Sequence, residues 1–210
     1  MLRSDGYACF IHRECVDVNK RQYFDFFYEN KLFVPDEVFV HMGCADGFNE
    51  KCFIEYIGDN YKKIFTFEPS PAQFVKCEKE LANLRDCLVV NKGCADKSET
   101  LSLFEPNDLQ ASRISDRGSI KVEVVALDEY CKNEKITFIA MDIEGYELKA
   151  FQGAHNIITT HKPKLAVSIY HKHEDIYEIP HYIKQLNPNY KLALRLYGKN
   201  WMDDCICYAY

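Results

Sequence analysis

The sequence predicts an α/β chain on a doubly wound, mostly parallel sheet of seven strands, the last of them antiparallel. Three observations carry this. Largely apolar runs at residues 38–42, 64–67 and 136–141 stop abruptly at Gly43, Glu68 and Asp142. Buried parallel strands read this way when their C-terminal ends open on a ligand site. Helical patterns separate the runs, and two closing strand patterns at 190–196 and 204–210 are expected to pair antiparallel.

The elements follow in order. Residues 37–42 read as a strand and 49–57 as a helix. A strand at 63–67 precedes a helix at 71–83, with Pro71 in its first turn, where its missing N–H breaks no bond. After a strand at 87–91 come 99–104 and 120–125, a β pair joined by the polar stretch 105–119. Strand 135–141, helix 146–160, strand 164–170 and helix 174–186 lead to the closing pair. Residues 36–210 form the main domain. Residues 1–35 form an N-terminal segment rich in aromatics (Tyr23, Phe24, Phe26, Phe27, Tyr28) and helical over its second half. It either packs against the sheet or closes over the site.

Composition narrows the function. The chain has 210 residues, enough for one sizeable core, and a formal net charge of −6, which argues against nucleic acid or an anionic membrane as main partner. No run reaches the length of a membrane span, and Arg3, Asp5 and Gly6 interrupt the start where a signal peptide would be apolar. A cytoplasmic location is expected. None of the ten cysteines forms a C-x-x-C pair. They read as small buried hydrophobes in a reducing compartment rather than a disulfide framework, and Cys205 and Cys207 are expected on opposite strand faces.

Gly43 and Gly47 permit a tight turn and a ligand close to the backbone, and Glu68 lies about 20 residues on, where a carboxylate takes the hydroxyls of a ribose. Together they indicate a nucleotide-like cofactor. Glu68 and Asp46 are also candidate helix caps. Asp142 and Glu144 end a strand beside that site, and His171 ends the next. An imidazole beside carboxylates suits a general base or a metal ligand. His173 is the weaker member of that pair, and Arg195 faces either a phosphate or solvent.

The motifs GCADG (43–47), FEPSP (67–71), NKGCAD (91–96), ALDEY (126–130), MDIEGYE (141–147) and FQGA (151–154), in this order, resemble the FkbM-type S-adenosylmethionine-dependent methyltransferases. The tail resembles a branch of that family found in bacterial surface-polysaccharide loci. The resemblance implies a Rossmann-like, class I methyltransferase fold. It implies S-adenosylmethionine held by His41, Gly43, Cys44, Asp46, Gly47, Glu68, Pro69, Ser70, Gly93, Cys94 and Asp142. It implies O-methylation of a hydroxyl on a sugar or polysaccharide building block, with a small-molecule or nucleotide-linked sugar as acceptor. A homodimer is left open. The loop with Asn91 and Lys92 would border the adenine.

Asp142, Glu144 and His171 are the candidate catalytic residues. They serve either as a metal-free site in which His171 takes the proton or as ligands of a divalent cation, Mg²⁺ or Mn²⁺. Three positions depart from the family pattern: His41 stands for Asp, Ala140 for Lys and Leu196 for His. They motivate an alternative, a cofactor-binding protein with weakened or lost activity, and His41→Asp is expected to tighten cofactor binding. A nicotinamide-dependent oxidoreductase is the other alternative, disfavoured because Gly43-x-x-x-Gly47 is not G-x-G-x-x-G.

Overall fold

A computed structural model describes residues 21–106, 112–197 and 204–210, together with the backbone of 10–15. The centre of the joining stretch, 107–111, and parts of the N-terminal segment, 1–9 and 16–20, lie outside the described residues.

The main sheet begins with β1 (Phe10–Cys15), and the short helix α1 (Asp25–Glu29) follows it. The alternating unit is β2 (Glu37–Met42), α2 (Phe48–Ile57), β3 (Tyr61–Phe67), α3 (Pro71–Leu81) and β4 (Cys87–Val90). Next come β5 (Gly93–Cys94), β6 (Glu99–Phe104), β7 (Arg113–Ile114), β8 (Ile120–Val125) and α4 (Leu127–Tyr130). β9 (Phe138–Met141), α5 (Glu147–Gly153), α6 (His155–His161), β10 (Lys164–Ser168), α7 (Asp175–Leu186), β11 (Leu192–Leu196) and β12 (Cys205–Ala209) complete the chain.

The sheet order is β1-β11-β12-β10-β9-β2-β3-β4. The seven expected strands are all present, and β12 lies antiparallel between β10 and β11. β1 is an eighth strand, parallel to β11 at the edge. The expected pair β6 and β8 is antiparallel and belongs to a second sheet ordered β5-β8-β6-β7.

Alternation along β2 explains why it reads as one apolar run. Val38, Val40 and Met42 enter the core under α5, α6 and α7, while Phe39 enters an aromatic core on the opposite face. Phe24, Phe53 and Phe138 pack around Phe39 there, with ring centroids 4.6–5.8 Å away. Tyr23, Phe24 and Phe27 are fully buried in this second core, so the aromatic segment covers one face of the sheet.

Two expectations change in detail. The second half of the N-terminal segment is helical only over Asp25–Glu29 among its described residues. The single helix expected at 146–160 breaks at Ala154, which has φ −113° and ψ 14°. Asp128 explains the restart: its carboxylate accepts the N–H groups of Asn156 and Ile157, both at 2.8 Å, and so caps α6 from another element.

Candidate functional site

β2 is the strand from which the chain winds outward in one direction, to β3, and later returns on the other side, to β9. Ligands bind at such switch points, at the C-terminal strand ends. There Asp142 N–H donates to the Met42 carbonyl at 2.9 Å. Gly43 (φ +96°) follows, and a Cβ on it would stand 1.9 Å from the Asp142 carbonyl oxygen. Gly43 is therefore required by the approach of two backbone segments, at a point where it also lines the cleft.

A cleft of about 380 Å³ opens at these strand ends, within the usual range for a small-ligand site. Gly43, Cys44, Asp46, Glu68, Pro69, Gly93, Cys94, Asp142 and Glu144 all lie in its wall. Glu68 is 4% exposed, with Oε2 accepting from Ala45 N–H at 2.9 Å and Oε1 from Ser70 N–H at 2.8 Å. Burial pushes its pKa up to about 7 against those two N–H donors. Asp46 accepts from Phe48 N–H at 3.1 Å and is exposed. Asn91 braces the next loop by donating to the carbonyls of Glu68 and Pro69 at 2.9 and 3.3 Å.

Three expected cofactor residues are not in the wall. Gly47 (φ +80°) starts α2, and its added Cβ would press on Leu81 at 3.0 Å. Ser70 caps α3, accepting from Gln73 N–H at 3.2 Å, and donates to Glu105. His41 is fully buried, with Nδ1 2.6 Å from Glu50 Oε1. Thr66 donates to the same oxygen at 2.5 Å. The His at 41 thus has its carboxylate partner in the first turn of α2.

Cys44 and Cys77 form one disulfide joining the glycine loop to α3, an exception to the expectation that most cysteines are small buried hydrophobes. Cys52, Cys87, Cys94 and Cys131 carry free thiols. Cys205 and Cys207 share one face in the core beneath α5–α7, because residues two apart in a strand point the same way.

The structure does bring Asp142, Glu144 and His171 together. His171 Nε2 is 3.1 Å from Asp142 Oδ1 and 3.8 Å from Glu144 Oε2, and Nδ1 is 2.9 Å from Glu147 Oε1. Burial alone would lower the imidazole pKa, but Asp142 and Glu147 raise it to about 10. A pKa raised this far favours the protonated imidazole at neutral pH, a form that pairs with carboxylates rather than accepting a proton. Burial likewise opposes ionisation of Asp142, yet His171 and the Tyr23 hydroxyl hold it below the usual carboxylate range. Burial raises Glu144, with Asp142 and Glu147 adding to the effect against His171. The turn holds Glu144 at φ +56°, an uncommon conformation for a residue with a side chain.

Sequence reasoning missed several groups. Glu147 is buried and accepts from the N–H groups of Ile143 and Gly145 at 3.0 and 3.3 Å, so it fixes the turn as well as His171. Its position two residues past Gly145, opening a helix, was the available signal. Tyr23 donates to Asp142 Oδ2 at 2.6 Å, a long-range contact with no local trace in the chain. Arg195 faces neither phosphate nor solvent: it pairs with Glu29 at 2.8 Å and Asp25 at 3.5 Å. His173 is exposed. Ala140 is buried with Tyr23 in the aromatic core, and Leu196 packs against the opposite one.

A mostly parallel sheet with β12 antiparallel between β10 and β11, and a cleft at the β2–β9 switch point, is the architecture of a class I methyltransferase fold. Residues 41–192 match the methyltransferase FkbM domain, and the chain belongs to that family. A methyltransferase FkbM from Methylobacillus flagellatus aligns at TM-score 0.73 and 25% identity, covering 91% of this chain and 48% of that one. The chain therefore spans about half that neighbour's length. An rRNA methylase from Streptococcus thermophilus aligns at TM-score 0.55 and 14% identity over 91% of this chain and 96% of that one. Fibrillarin from Aeropyrum pernix, with natively bound S-adenosyl-L-methionine, aligns at TM-score 0.51 and 11% identity over 84% and 67%. These two likenesses concern the fold alone. No curated protein sequence matches the chain significantly. Among the described residues no helix is long and apolar enough to cross a membrane.

Proposed function

We propose that this chain is an S-adenosylmethionine-dependent O-methyltransferase acting on a hydroxyl of a sugar or polysaccharide building block, free or nucleotide-linked. One observation carries the reading: Asp142 and Glu144 stand in the wall of the same cleft as Glu68 and Gly43. The residues present fit the cofactor. A carboxylate has about four acceptor sites, and the Glu68 oxygens use one each on backbone N–H groups, leaving capacity for two ribose hydroxyls.

When bound, S-adenosylmethionine supplies an electrophilic methyl carbon. The chain must then align an oxygen and accept its proton, and alignment supplies much of the rate. Glu144 is our acceptor, because its raised pKa and place in the cleft suit a group that gains a proton. Asp142 orients the hydroxyl. His171, charged, holds both carboxylates. Asp142, Glu144 and His171 also offer ligand atoms within 4.8 Å of one another, the spacing of a divalent-cation site. The ion-paired reading is preferred because carboxylates face both imidazole nitrogens. We place the reaction in the cytoplasm, on the strength of the free thiols of Cys52, Cys87, Cys94 and Cys131, with Cys44–Cys77 a single buried bond among the described residues rather than a framework.

Calorimetry with S-adenosylhomocysteine and with NAD tests the cofactor. Transfer of labelled methyl to a panel of monosaccharides and nucleotide sugars tests the acceptor. Binding of NAD alone, or a panel with no methylated member, defeats the reading. Activity that survives EDTA supports the ion-paired site, and loss restored by Mn²⁺ selects the cation.

A further inference from the structure

Tyr23 lies outside the segment that matches the family, in the stretch just before α1. Its ring is 1% exposed and lies in the aromatic core, with the rings of Phe24 and His41 centred 6.2 and 6.0 Å away. Packing in such a cluster needs only a phenylalanine. The hydroxyl nevertheless reaches 2.6 Å from Asp142 Oδ2 and 3.1 Å from Ser168 Oγ. A phenol keeps its proton at neutral pH, so it donates to the carboxylate. The distance is that of a strong, charge-assisted O–H···O⁻ bond. Tyr170 OH is 3.5 Å from the same oxygen, and His171 faces the other one.

The segment carrying Tyr23 is itself fastened. Tyr208 donates to the Gln22 carbonyl, and Tyr197 donates to Asp25 at 2.5 Å. Arg195 pairs with Asp25 and Glu29. These partners come from β11, β12 and Tyr197, which tie residues 22–29 to the far half of the main sheet. Gln22 lies in the cleft wall.

From this geometry we infer that Tyr23 is a positioning residue. It holds the Asp142 carboxylate in one rotamer from the aromatic core, while His171 holds it from the other side. The N-terminal segment therefore completes the reacting edge of the cleft rather than only covering the sheet. The role rests on the methyl-transfer reading above.

The test compares Tyr23→Phe, Asp142→Asn and the double variant. Tyr23→Phe keeps the ring and removes one oxygen. It should bind S-adenosylhomocysteine within about twofold of the parent, because the contacts assigned to Glu68 and the glycine loop remain. Loss of a hydrogen bond to a charged group costs about 1.5–3 kcal/mol, so its kcat should fall roughly tenfold or more, with KM for S-adenosylmethionine unchanged. The ring N–H resonance of His171, followed by ¹H–¹⁵N NMR, should shift in Tyr23→Phe. In the Asp142→Asn background the same substitution should change nothing further, as coupling through one carboxylate requires. Turnover within twofold of the parent, or an unmoved His171 resonance, overturns the inference. A parent protein that binds no S-adenosylhomocysteine, or methylates no sugar, defeats the functional reading instead. The His171 resonance still decides the Tyr23–Asp142 contact in that case.

Discussion

His171 joins Glu147 at 2.9 Å to Asp142 at 3.1 Å, so one imidazole ties the turn after β9 to the end of β10. The folded pKa of about 10 lies above the ordinary value of 6.5. By linkage, this raised pKa contributes stability that is fully present below about pH 6.5 and is lost as pH rises toward 10. The melting temperature of the parent should therefore fall more steeply between pH 7 and 10 than that of His171→Gln. Parallel curves for the two proteins would contradict the ion-paired imidazolium.

Glu68 gives the opposite dependence for binding. Its pKa of about 7 lies above the ordinary carboxylate range. The folded form binds more protons than the unfolded one across that window, so this group lowers stability as pH rises toward 7. Ribose hydroxyls donate best to the ionised carboxylate. Affinity for S-adenosylhomocysteine should therefore tighten from pH 6 to pH 8. Glu68→Gln should bind about tenfold or more weakly and lose that pH dependence. Calorimetry at the two pH values checks both.

His41→Asp should unfold the protein more easily rather than improve the cofactor site. His41 and Glu50 are fully buried partners at 2.6 Å. Replacing the imidazole with a carboxylate leaves two buried acids facing each other. Leaving buried polar groups without a proper partner in this way costs about 1–3 kcal/mol or more. Chemical denaturation measures it, and a variant as stable as the parent would refute the pairing. Glu50→Gln should cost less, because it adds no charge.

The Cys44–Cys77 bond closes a loop with a sequence separation of 33. Chain entropy then makes it worth about 3–4 kcal/mol. Cys77→Ser should lower the melting temperature by roughly 10 °C. Dithiothreitol should do the same to the parent and nothing further to the variant. If the reductant lowers both equally, the bond is not the cause.

The sequence by itself determined what depends on neighbours along the chain. Apolar runs in β2, β3 and β9 marked buried strands, and Pro71 marked a helix start. The abrupt ends at Gly43, Glu68 and Asp142 marked the side on which a cleft opens. These signals are local because strand pleat, helix capping and turn geometry act over a few residues. Only the tertiary structure decided which partners each polar group takes. Glu50 meets His41 because α2 folds back on β2, and Glu147 takes His171 because β10 lies beside β9. Asp128 breaks a helix that reads as continuous, from a short helix before β9. Tyr23 reaches Asp142 across 119 residues of chain. The edge strand β1 finds its place beside a strand near the far end of the chain. The charge on His171 follows from such contacts: two carboxylates brought to one imidazole outweigh its burial, and a balance of that kind exists only once the chain is folded.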